Sequence, residues 1–266
     1  MDTRELKYFL RSKSLNFAKN LHDKSQRLAC LNWKNVKIYY RTCSSDMVLI
    51  YEILLKSEFK REYYFPKEIK PKIIFDIGGN IGITAIYLAR IFPEATIYSF
   101  EPLKENFEIL KKNANNYNNI KVFNFGLGAK SGSFKVFLSD DKNNFGGVSF
   151  NNAVEGNLEY SNTECTVKNI NDFIEEEAIG SIDLIKIDTE GAEREILTSY
   201  KKEYLDQTLW ITGELHGNRD FELLNFLNNS GFSISVHKNI HNRLFMFNAG
   251  RKKIISKLSR KEIRIL

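Results

Sequence analysis

Cysteine, proline and long apolar runs are all scarce in this sequence of 266 residues. Its three cysteines lie far apart and form no Cys-x-x-Cys pair, so neither a zinc site nor a disulfide framework is indicated. No run approaches the roughly 18 apolar residues that a membrane-spanning helix needs. The opening segment MDTRELKYFLRSKS also lacks the apolar core of a signal peptide. We therefore expect a globular, cytoplasmic protein without a transmembrane segment.

Acidic residues are outnumbered, and the net charge of the chain is +6. Most of the excess lies in residues 251–266, where seven Lys or Arg stand against one Glu. A basic tail of this kind can contact nucleic acid, acidic glycans or an anionic membrane face. We expect a solvated terminal segment, and peripheral contact through this tail is the alternative.

The chain divides by composition into three regions. Residues 1–65 are helix-prone and contain no proline, which predicts a helical extension with one short strand. Residues 66–250 alternate strand-like and helix-like segments and are predicted to form the main domain. Within it, residues 126–167 are rich in Asn, Gly and Ser and are predicted to be an insertion of loops and a hairpin. Residues 251–266 form the basic C-terminal tail.

The alternation of strands and helices predicts a Rossmann-like α/β fold. Such a pattern favours a doubly wound, mostly parallel sheet with right-handed crossovers. A terminal hairpin would add an antiparallel C-terminal strand. The predicted strands are Val36–Arg41, Ile73–Ile77, Thr96–Phe100, Lys121–Phe125, Ser133–Leu138, Ile182–Ile187, Leu209–Gly213, Phe232–Val236 and Leu244–Phe247, and the predicted helices are Met47–Phe59, Thr84–Ile91 and Glu105–Asn116.

A glycine-rich turn follows the first buried strand of the main domain. The segment FDIGGNIG occupies residues 75–82, and Gly78 and Gly82 allow the backbone to approach a ligand without a Cβ clash. Dinucleotide-binding loops require Gly-x-Gly-x-x-Gly, but Asn80 stands in place of the second glycine. Asp76 at the strand end would repel a pyrophosphate and would favour a cationic ligand. These features favour S-adenosyl-L-methionine and count against an NAD-dependent oxidoreductase.

Glu101 ends the next predicted strand, 23 residues after Gly78. A carboxylate at this place can accept hydrogen bonds from both hydroxyls of a ribose. Dinucleotide enzymes share this feature, so Glu101 alone does not decide between the two cofactors. The predicted residues of the S-adenosyl-L-methionine site are Asp76, Gly78, Asn80, Gly82 and Glu101.

Four motifs stand out along the chain. They are RTCSSD at 41–46, FDIGGNIG at 75–82, SFEP at 99–102 followed by Asn106 and Phe107, and KIDTEGAE at 186–193. Together they resemble the FkbM-type methyltransferase family over roughly residues 41–215, although the family usually carries Ala where this chain has Gly79. The resemblance implies a Rossmann-like, S-adenosyl-L-methionine-dependent O-methyltransferase that acts on a hydroxyl of a sugar, a glycan or a related small molecule.

The strand ends in the second half of the chain carry candidates for a catalytic base. A sugar hydroxyl must lose its proton during methyl transfer, and a histidine is suited to this near neutral pH. Asp188 and His216 are therefore the predicted catalytic residues, although a structural role for His216 stays open. Asp188 and Glu214 could instead hold a divalent cation, but no ligand spacing supports a metal, and we predict none. Glu193 is explained as well by a stabilising position at a helix N-terminus.

Two other classes of function stay open. Enzymes that methylate amino groups of bases usually need an Asn/Asp-Pro-Pro-aromatic loop, and cytosine C5 enzymes need a cysteine after proline. This chain has neither, and the acidic KIDTEGAE motif would repel phosphates, so only the basic tail favours nucleic acid. A non-catalytic Rossmann-like binding protein is the second alternative. We expect a small-molecule or glycan acceptor and no nucleic-acid partner, and the sequence does not set the oligomeric state.

Overall fold

The computed structural model describes residues 1–57, 60–138, 148–149, 159–216, 219–238 and 245–263 of the chain. Its strands are β1 (Leu28–Trp33), β2 (Val36–Arg41), β3 (Ile73–Ile77), β4 (Thr96–Phe100), β5 (Ile120–Phe123), β6 (Gly126–Gly128), β7 (Gly132–Leu138), β8 (Val148–Ser149), β9 (Glu159–Asn169), β10 (Leu184–Ile187), β11 (Trp210–Leu215), β12 (Phe232–Lys238) and β13 (Phe245–Arg251). Its helices are α1 (Thr3–Ser12), α2 (Leu15–Lys19), α3 (Ser45–Leu49), α4 (Ile83–Ile91), α5 (Lys104–Ala114), α6 (Ile170–Glu176), α7 (Glu193–Ser199), α8 (Lys202–Leu205), α9 (Asp220–Asn229), α10 (Lys252–Ile255) and α11 (Arg260–Ile263), and a π-helix at Ile50–Leu55 continues α3.

The central sheet contains seven of the described strands, in the order β12–β13–β11–β10–β3–β4–β5. Neighbouring strands are parallel, except that β13 runs antiparallel to both β11 and β12. The chain winds outward from β3 in both directions, so the strand order reverses between β3 and β10. The predicted doubly wound, mostly parallel sheet with an antiparallel C-terminal strand is therefore confirmed. In such sheets ligands bind beyond the carboxyl ends of the strands, at this reversal point.

Apolar side chains cover both faces of the central sheet. Ile74 of β3 belongs to a core that includes Tyr40 of the N-terminal region. Its neighbour Phe75 points to the other face and belongs to a second core with Phe173 of α6 and Leu227 of α9. Helices and the N-terminal region thus cover both faces, which explains why β3 reads as an almost uninterrupted apolar run.

The N-terminal region contains more β structure than the sequence indicates. Strand β1, which was not predicted, pairs antiparallel with β2 in a hairpin. The predicted helix Met47–Phe59 begins as α3, where the side chain of Ser44 caps the N-terminus, and then continues as the π-helix. Residues 58 and 59 of that prediction lie outside the described part of the chain. This region packs on the sheet face that carries the polar strand ends described below.

The predicted insertion at 126–167 carries a second sheet. Its described strands have the order β6–β9–β7–β8, so it holds more regular structure than loops and one hairpin. The predicted strand Ser133–Leu138 corresponds to β7, and β9 was not predicted.

The C-terminal part of the chain folds back on the core. Strands β12 and β13 form the predicted antiparallel hairpin, although Leu244 lies outside the described residues. In the basic tail, Ile254 and Leu258 are buried in the core that contains Ile74. Over the described ranges, the structure offers no helix whose length and apolar character would let it cross a membrane.

Candidate functional site

A row of buried polar side chains crosses one face of the central sheet near its carboxyl edge. The strand register aligns Ser99 of β4, Asp76 of β3, Lys186 of β10 and Thr212 of β11, and all four are buried. Residues in register share a face, and so do residues two positions apart on one strand. The same face therefore continues, two positions further along these four segments, with Glu101, Gly78, Asp188 and Glu214.

Asp76 is fully buried where the strand order reverses. Its Oδ2 accepts a hydrogen bond of 2.8 Å from Oγ of Ser99. Its Oδ1 has no hydrogen-bond partner among the described residues and lies 3.6 Å from Nζ of Lys186. Burial raises the pKa of Asp76, and the ammonium group of Lys186 opposes this. A buried carboxylate oxygen without a donor is costly, so Oδ1 is suited to a ligand that donates a hydrogen bond or carries positive charge.

The glycine turn needs a conformation and a closeness that side chains would prevent. Gly78 has φ +82°, and a Cβ built on it would lie 1.8 Å from the carbonyl oxygen of Asp188. Asn80 and Gly82 also have positive φ, and α4 begins directly after Gly82. A Cβ on Gly79 would lie 2.3 Å from Oγ of Ser99 and 2.7 Å from Cδ1 of Leu110, so an alanine there does not fit this arrangement unless both side chains move.

Glu101 is buried, and its two carboxylate oxygens tie the glycine turn to the start of α5. Its Oε2 accepts a hydrogen bond from the backbone N–H of Asn80 (2.8 Å), and its Oε1 accepts one from the N–H of Leu103 (3.0 Å). Burial raises the pKa of Glu101 to about 7. Each carboxylate oxygen can accept a second hydrogen bond, which is what a pair of ligand hydroxyls requires.

The RTCSSD motif supports Glu101 from the N-terminal region. Arg41 and Asp46 form a buried ion pair with 2.8 Å between Nε and Oδ2. Nη2 of Arg41 also donates to Oδ1 of Asn106 (2.8 Å), and a hydrogen bond from Asn106 favours the ionised form of Glu101 and so lowers its pKa. The motif thus has a structural role behind the proposed cofactor crevice.

Five predicted cofactor residues come together around this turn. Asp76 and Glu101 end neighbouring strands, and Gly78, Asn80 and Gly82 lie between them in the chain. Their groups fit S-adenosyl-L-methionine, because a buried carboxylate beside the turn has an oxygen without a hydrogen-bond partner and a second carboxylate has acceptor capacity left. That these residues bind this cofactor stays a prediction.

Asp188 stands at the opposite wall of the same crevice. It follows β10, the strand next to β3, and its side chain is 22% exposed. The hydroxyl of Tyr63 donates a hydrogen bond of 3.0 Å to Oδ2, and Nζ of Lys186 lies 3.8 Å from the same atom. Asp188 is therefore oriented by groups from two different elements while it keeps access to the crevice.

His216 is surrounded by carboxylates, which changes its predicted role. Its Nδ1 lies 3.2 Å from Oε1 of Glu193, and its Nε2 lies 3.1 Å from Oε2 of Glu214. Burial alone would lower the pKa of His216, but the hydrogen bonds with these two carboxylates outweigh it and raise the pKa to about 12. The ring therefore carries a proton near neutral pH and has no free lone pair. This geometry counts against the predicted role as a general base.

The same cluster brings together three potential metal ligands. Ligand atoms of Asp188, Glu193 and His216 all lie within 4.8 Å of one another. Both ring nitrogens of His216 already face carboxylates, however, and Oε1 of Glu193 also accepts the backbone N–H of Thr189. Ion pairs and capping hydrogen bonds account for the positions of these three side chains. The expectation that the site holds no metal stays a prediction.

Three residues of the site were missed in the sequence. Lys186 lies two positions before Asp188, and the period of a strand would have placed both on one face. Tyr63 and Glu62 belong to the N-terminal region and reach the site only through tertiary packing. Oε2 of Glu62 is buried without a hydrogen-bond partner in the described structure, and burial, with Glu214 and Asp188 nearby, raises the pKa of Glu62 well above its usual range.

Comparisons with known proteins relate the chain to one family of methyltransferases. The family description "Methyltransferase FkbM domain" matches residues 76–248. The chain is 27% identical to Methyltransferase 1 of Beauveria bassiana, over 62% of this chain and 74% of that protein. It is 25% identical to Methyltransferase sdnD of Sordaria araneosa, over 49% of this chain and 61% of that protein. The crystal structure of methyltransferase FkbM from Methylobacillus flagellatus KT aligns with a TM-score of 0.49 at 16% identity, over 68% of this chain and 44% of that one.

Proposed function

Because the chain belongs to the methyltransferase FkbM family, we propose that it uses S-adenosyl-L-methionine to methylate a hydroxyl group of a sugar, a glycan or a related small molecule. The observation that carries this proposal is the pair of buried carboxylates, Asp76 and Glu101, at neighbouring strand ends on either side of a glycine turn. Both lie on the sheet face and at the strand edge where doubly wound folds bind ligands.

The donor site is built from acceptor groups. Asp76, which is fully buried and whose Oδ1 has no hydrogen-bond partner in the described structure, would attract the amino group of the cofactor through its charge. Glu101 would receive the ribose hydroxyls on the acceptor capacity that its two backbone hydrogen bonds and the hydrogen bond from Asn106 leave free. The positive φ values of Gly78 and Gly82 give the turn the shape that would receive the cofactor. When bound, S-adenosyl-L-methionine supplies an electrophilic methyl group on a positively charged sulfur.

On the acceptor side, Asp188 is the general base. The sequence offers both Asp188 and His216 as candidates for this role. Tyr63 holds Oδ2 of Asp188, and Oδ1, which lies 3.8 Å from Nε2 of His216, would orient the acceptor hydroxyl and remove its proton. His216 is only 3% exposed and bridges Glu193 and Glu214, so it holds the acidic wall in place.

The acidity of this wall also favours one class of acceptor. Asp188, Glu190 and Glu214 all lie within 4.0 Å of Nε2 of His216 and present carboxylate oxygens from two chain segments, the loop after β10 and the end of β11. Such oxygens accept hydrogen bonds from the several hydroxyls of a sugar. They repel phosphate groups, which counts against a nucleic-acid acceptor.

The test is methyl transfer from cofactor labelled in the methyl group. The protein is incubated with a panel of nucleotide sugars, glycosides and extracted glycans, with tRNA and duplex DNA as competing acceptors. We expect label in an O-methyl ether of a sugar, and the Asp188→Asn variant should lose turnover while it still binds S-adenosylhomocysteine. Label in nucleic acid, or cofactor binding without turnover on any acceptor, would contradict the proposal.

A further inference from the structure

Lys186 is a buried lysine at the centre of the site, and the roles above leave it without an assignment. Its side chain is 3% exposed and extends from β10 beside Asp76, its register partner on β3. Nζ donates a hydrogen bond of 2.6 Å to the carbonyl oxygen of Gly78. The same atom lies 3.6 Å from Oδ1 of Asp76 and 3.8 Å from Oδ2 of Asp188.

We propose that Lys186 is a positioning residue, which keeps the donor site ready for the cofactor by holding the Gly78 turn and by pairing the charge of Asp76. The identity of the ligand rests on the proposed function. The role proposed for Lys186 rests on its own contacts. Its Nζ bonds to the carbonyl oxygen of Gly78 and lies within 4.0 Å of the carboxylates of Asp76 and Asp188.

A purely structural role does not explain a lysine at this position. Burial of an ammonium group is costly, and a parallel strand covered on both faces ordinarily carries an apolar residue there. Here the cost is offset only because carboxylates converge on the charge. Burial by itself would lower the pKa of Lys186, but Asp76 and Asp188, with Glu214 and Glu62 further away, raise it, so the side chain stays charged.

The positive charge of Lys186 acts mainly on the carboxyl group of Asp76. The groups that face Asp76 are Lys186 from β10, Ser99 from β4 and, more weakly, Asp188. Among them only Lys186 is positive. Without it, burial would favour the neutral form of Asp76, and the carboxyl would no longer pair with a cationic ligand. The carbonyl oxygen of Gly78 would also lose the hydrogen bond from Nζ of Lys186, which helps to hold the turn in place.

The experiment compares the binding of S-adenosylhomocysteine by calorimetry in Lys186→Met, Lys186→Arg and the wild type between pH 7 and pH 8.5, a range in which the amino group of the ligand stays charged. Wild-type affinity should be nearly constant above about pH 8. Lys186→Met should bind about tenfold more weakly or worse at pH 7.5, the loss expected for a charge-assisted hydrogen bond and ion pair. Its affinity should continue to rise with pH as Asp76 ionises, and Lys186→Arg should restore part of the affinity and the flat profile.

Lys121→Met is the control, because Lys121 is an exposed lysine of β5 that donates a hydrogen bond to the hydroxyl of Tyr98 and lies away from the site. It should bind like the wild type. A folded Lys186→Met with wild-type affinity, or with a loss that is the same at every pH, would overturn the proposal. If Lys186→Met does not fold, a rising pH profile in Lys186→Arg would overturn it as well. Failure of the wild type to bind would instead refute the proposed function.

Discussion

Nδ1 of His216 lies 3.2 Å from Oε1 of Glu193, and both side chains are buried. Glu193 begins α7 and also accepts the backbone N–H groups of Thr189 and Gly191, while His216 directly follows β11. The pair therefore fastens the loop of the KIDTEGAE motif to the neighbouring strand end. This explains why a histidine at a strand end, which the sequence presents as a candidate base, has a structural role.

Replacing His216 by Gln should destabilise the protein by ~3 kcal/mol near pH 6, since removal of one partner leaves buried carboxylates without their cation. Urea unfolding measures the change. His237→Gln is the control, because Nδ1 of His237 has no hydrogen-bond partner in the described structure, and it should have a much smaller effect. Equal effects of the two variants would remove the structural role of His216.

The pH dependence of this effect has a definite sign. The pKa of His216 rises from its usual 6.5 to about 12 on folding, so its contribution is complete below pH 6.5 and is lost as the pH rises toward 12. The pKa of Glu193 is lowered from 4.5, where the hydrogen bond with His216 outweighs burial, so its contribution is lost in acid. The stability difference between wild type and His216→Gln should be largest between pH 4.5 and 6.5 and should narrow at higher pH.

Gly78→Ala should destabilise the protein by at least ~2 kcal/mol and weaken cofactor binding, because the residue combines a φ of +82° with a Cβ position 1.8 Å from a carbonyl oxygen. Gly180→Ala is the control, since a Cβ there meets nothing within 4 Å. Thermal unfolding of both variants tests this. Tolerance of alanine at position 78 would show that the β3 and β10 ends are further apart than described.

The affinity for S-adenosylhomocysteine should fall as the pH drops below about 7. Burial raises the pKa of Glu101 to about 7, and the protonated carboxyl accepts ribose hydroxyls poorly. The loss should approach tenfold per pH unit in acid. Calorimetry between pH 5.5 and pH 8.5 measures it, and Glu101→Gln should bind weakly without this step. A flat wild-type profile would show that Glu101 is ionised throughout.

Tyr63→Phe should lower turnover about fivefold, the value of roughly one hydrogen bond, and leave the affinity for S-adenosylhomocysteine unchanged. The reason is that its hydroxyl orients Asp188 and does not reach the donor side of the crevice. Tyr64→Phe is the control, because the hydroxyl of Tyr64 bonds instead to Glu262 in the C-terminal tail. Steady-state kinetics at saturating cofactor separates the two, and equal turnover in both variants would contradict the role of Tyr63.

The parts of the fold that the sequence predicts well are those with strong local signals. Strands Ile73–Ile77 and Thr96–Phe100 match the structure at both ends, because each is a buried apolar run that ends at a carboxylate or a turn. Strand β1 was missed, since LACLNW is stabilised by its pairing with β2 and carries little alternation of its own. The π-helical continuation of α3 has no sequence signal that we can identify.

The candidate site divides in the same way. Asp76, Glu101 and Asp188 follow apolar strands and are visible as carboxylates at strand ends. The role of His216 depends on the carboxylates of Glu193 and Glu214. No spacing in the chain shows that both lie against its ring. Tyr63 lies 125 positions before its partner Asp188, so only the packed N-terminal region brings the two together.

Binding of S-adenosylhomocysteine by Asp76→Ala and Glu101→Ala tests the central claim most directly. Isothermal titration at pH 7.5, with circular dichroism to verify that each variant is folded, should show clear binding by the wild type. Each substitution should abolish the binding of S-adenosylhomocysteine, since each removes a carboxylate from the cofactor site. Wild-type affinity in both folded variants would contradict the assignment of this glycine turn and its two carboxylates as the cofactor site.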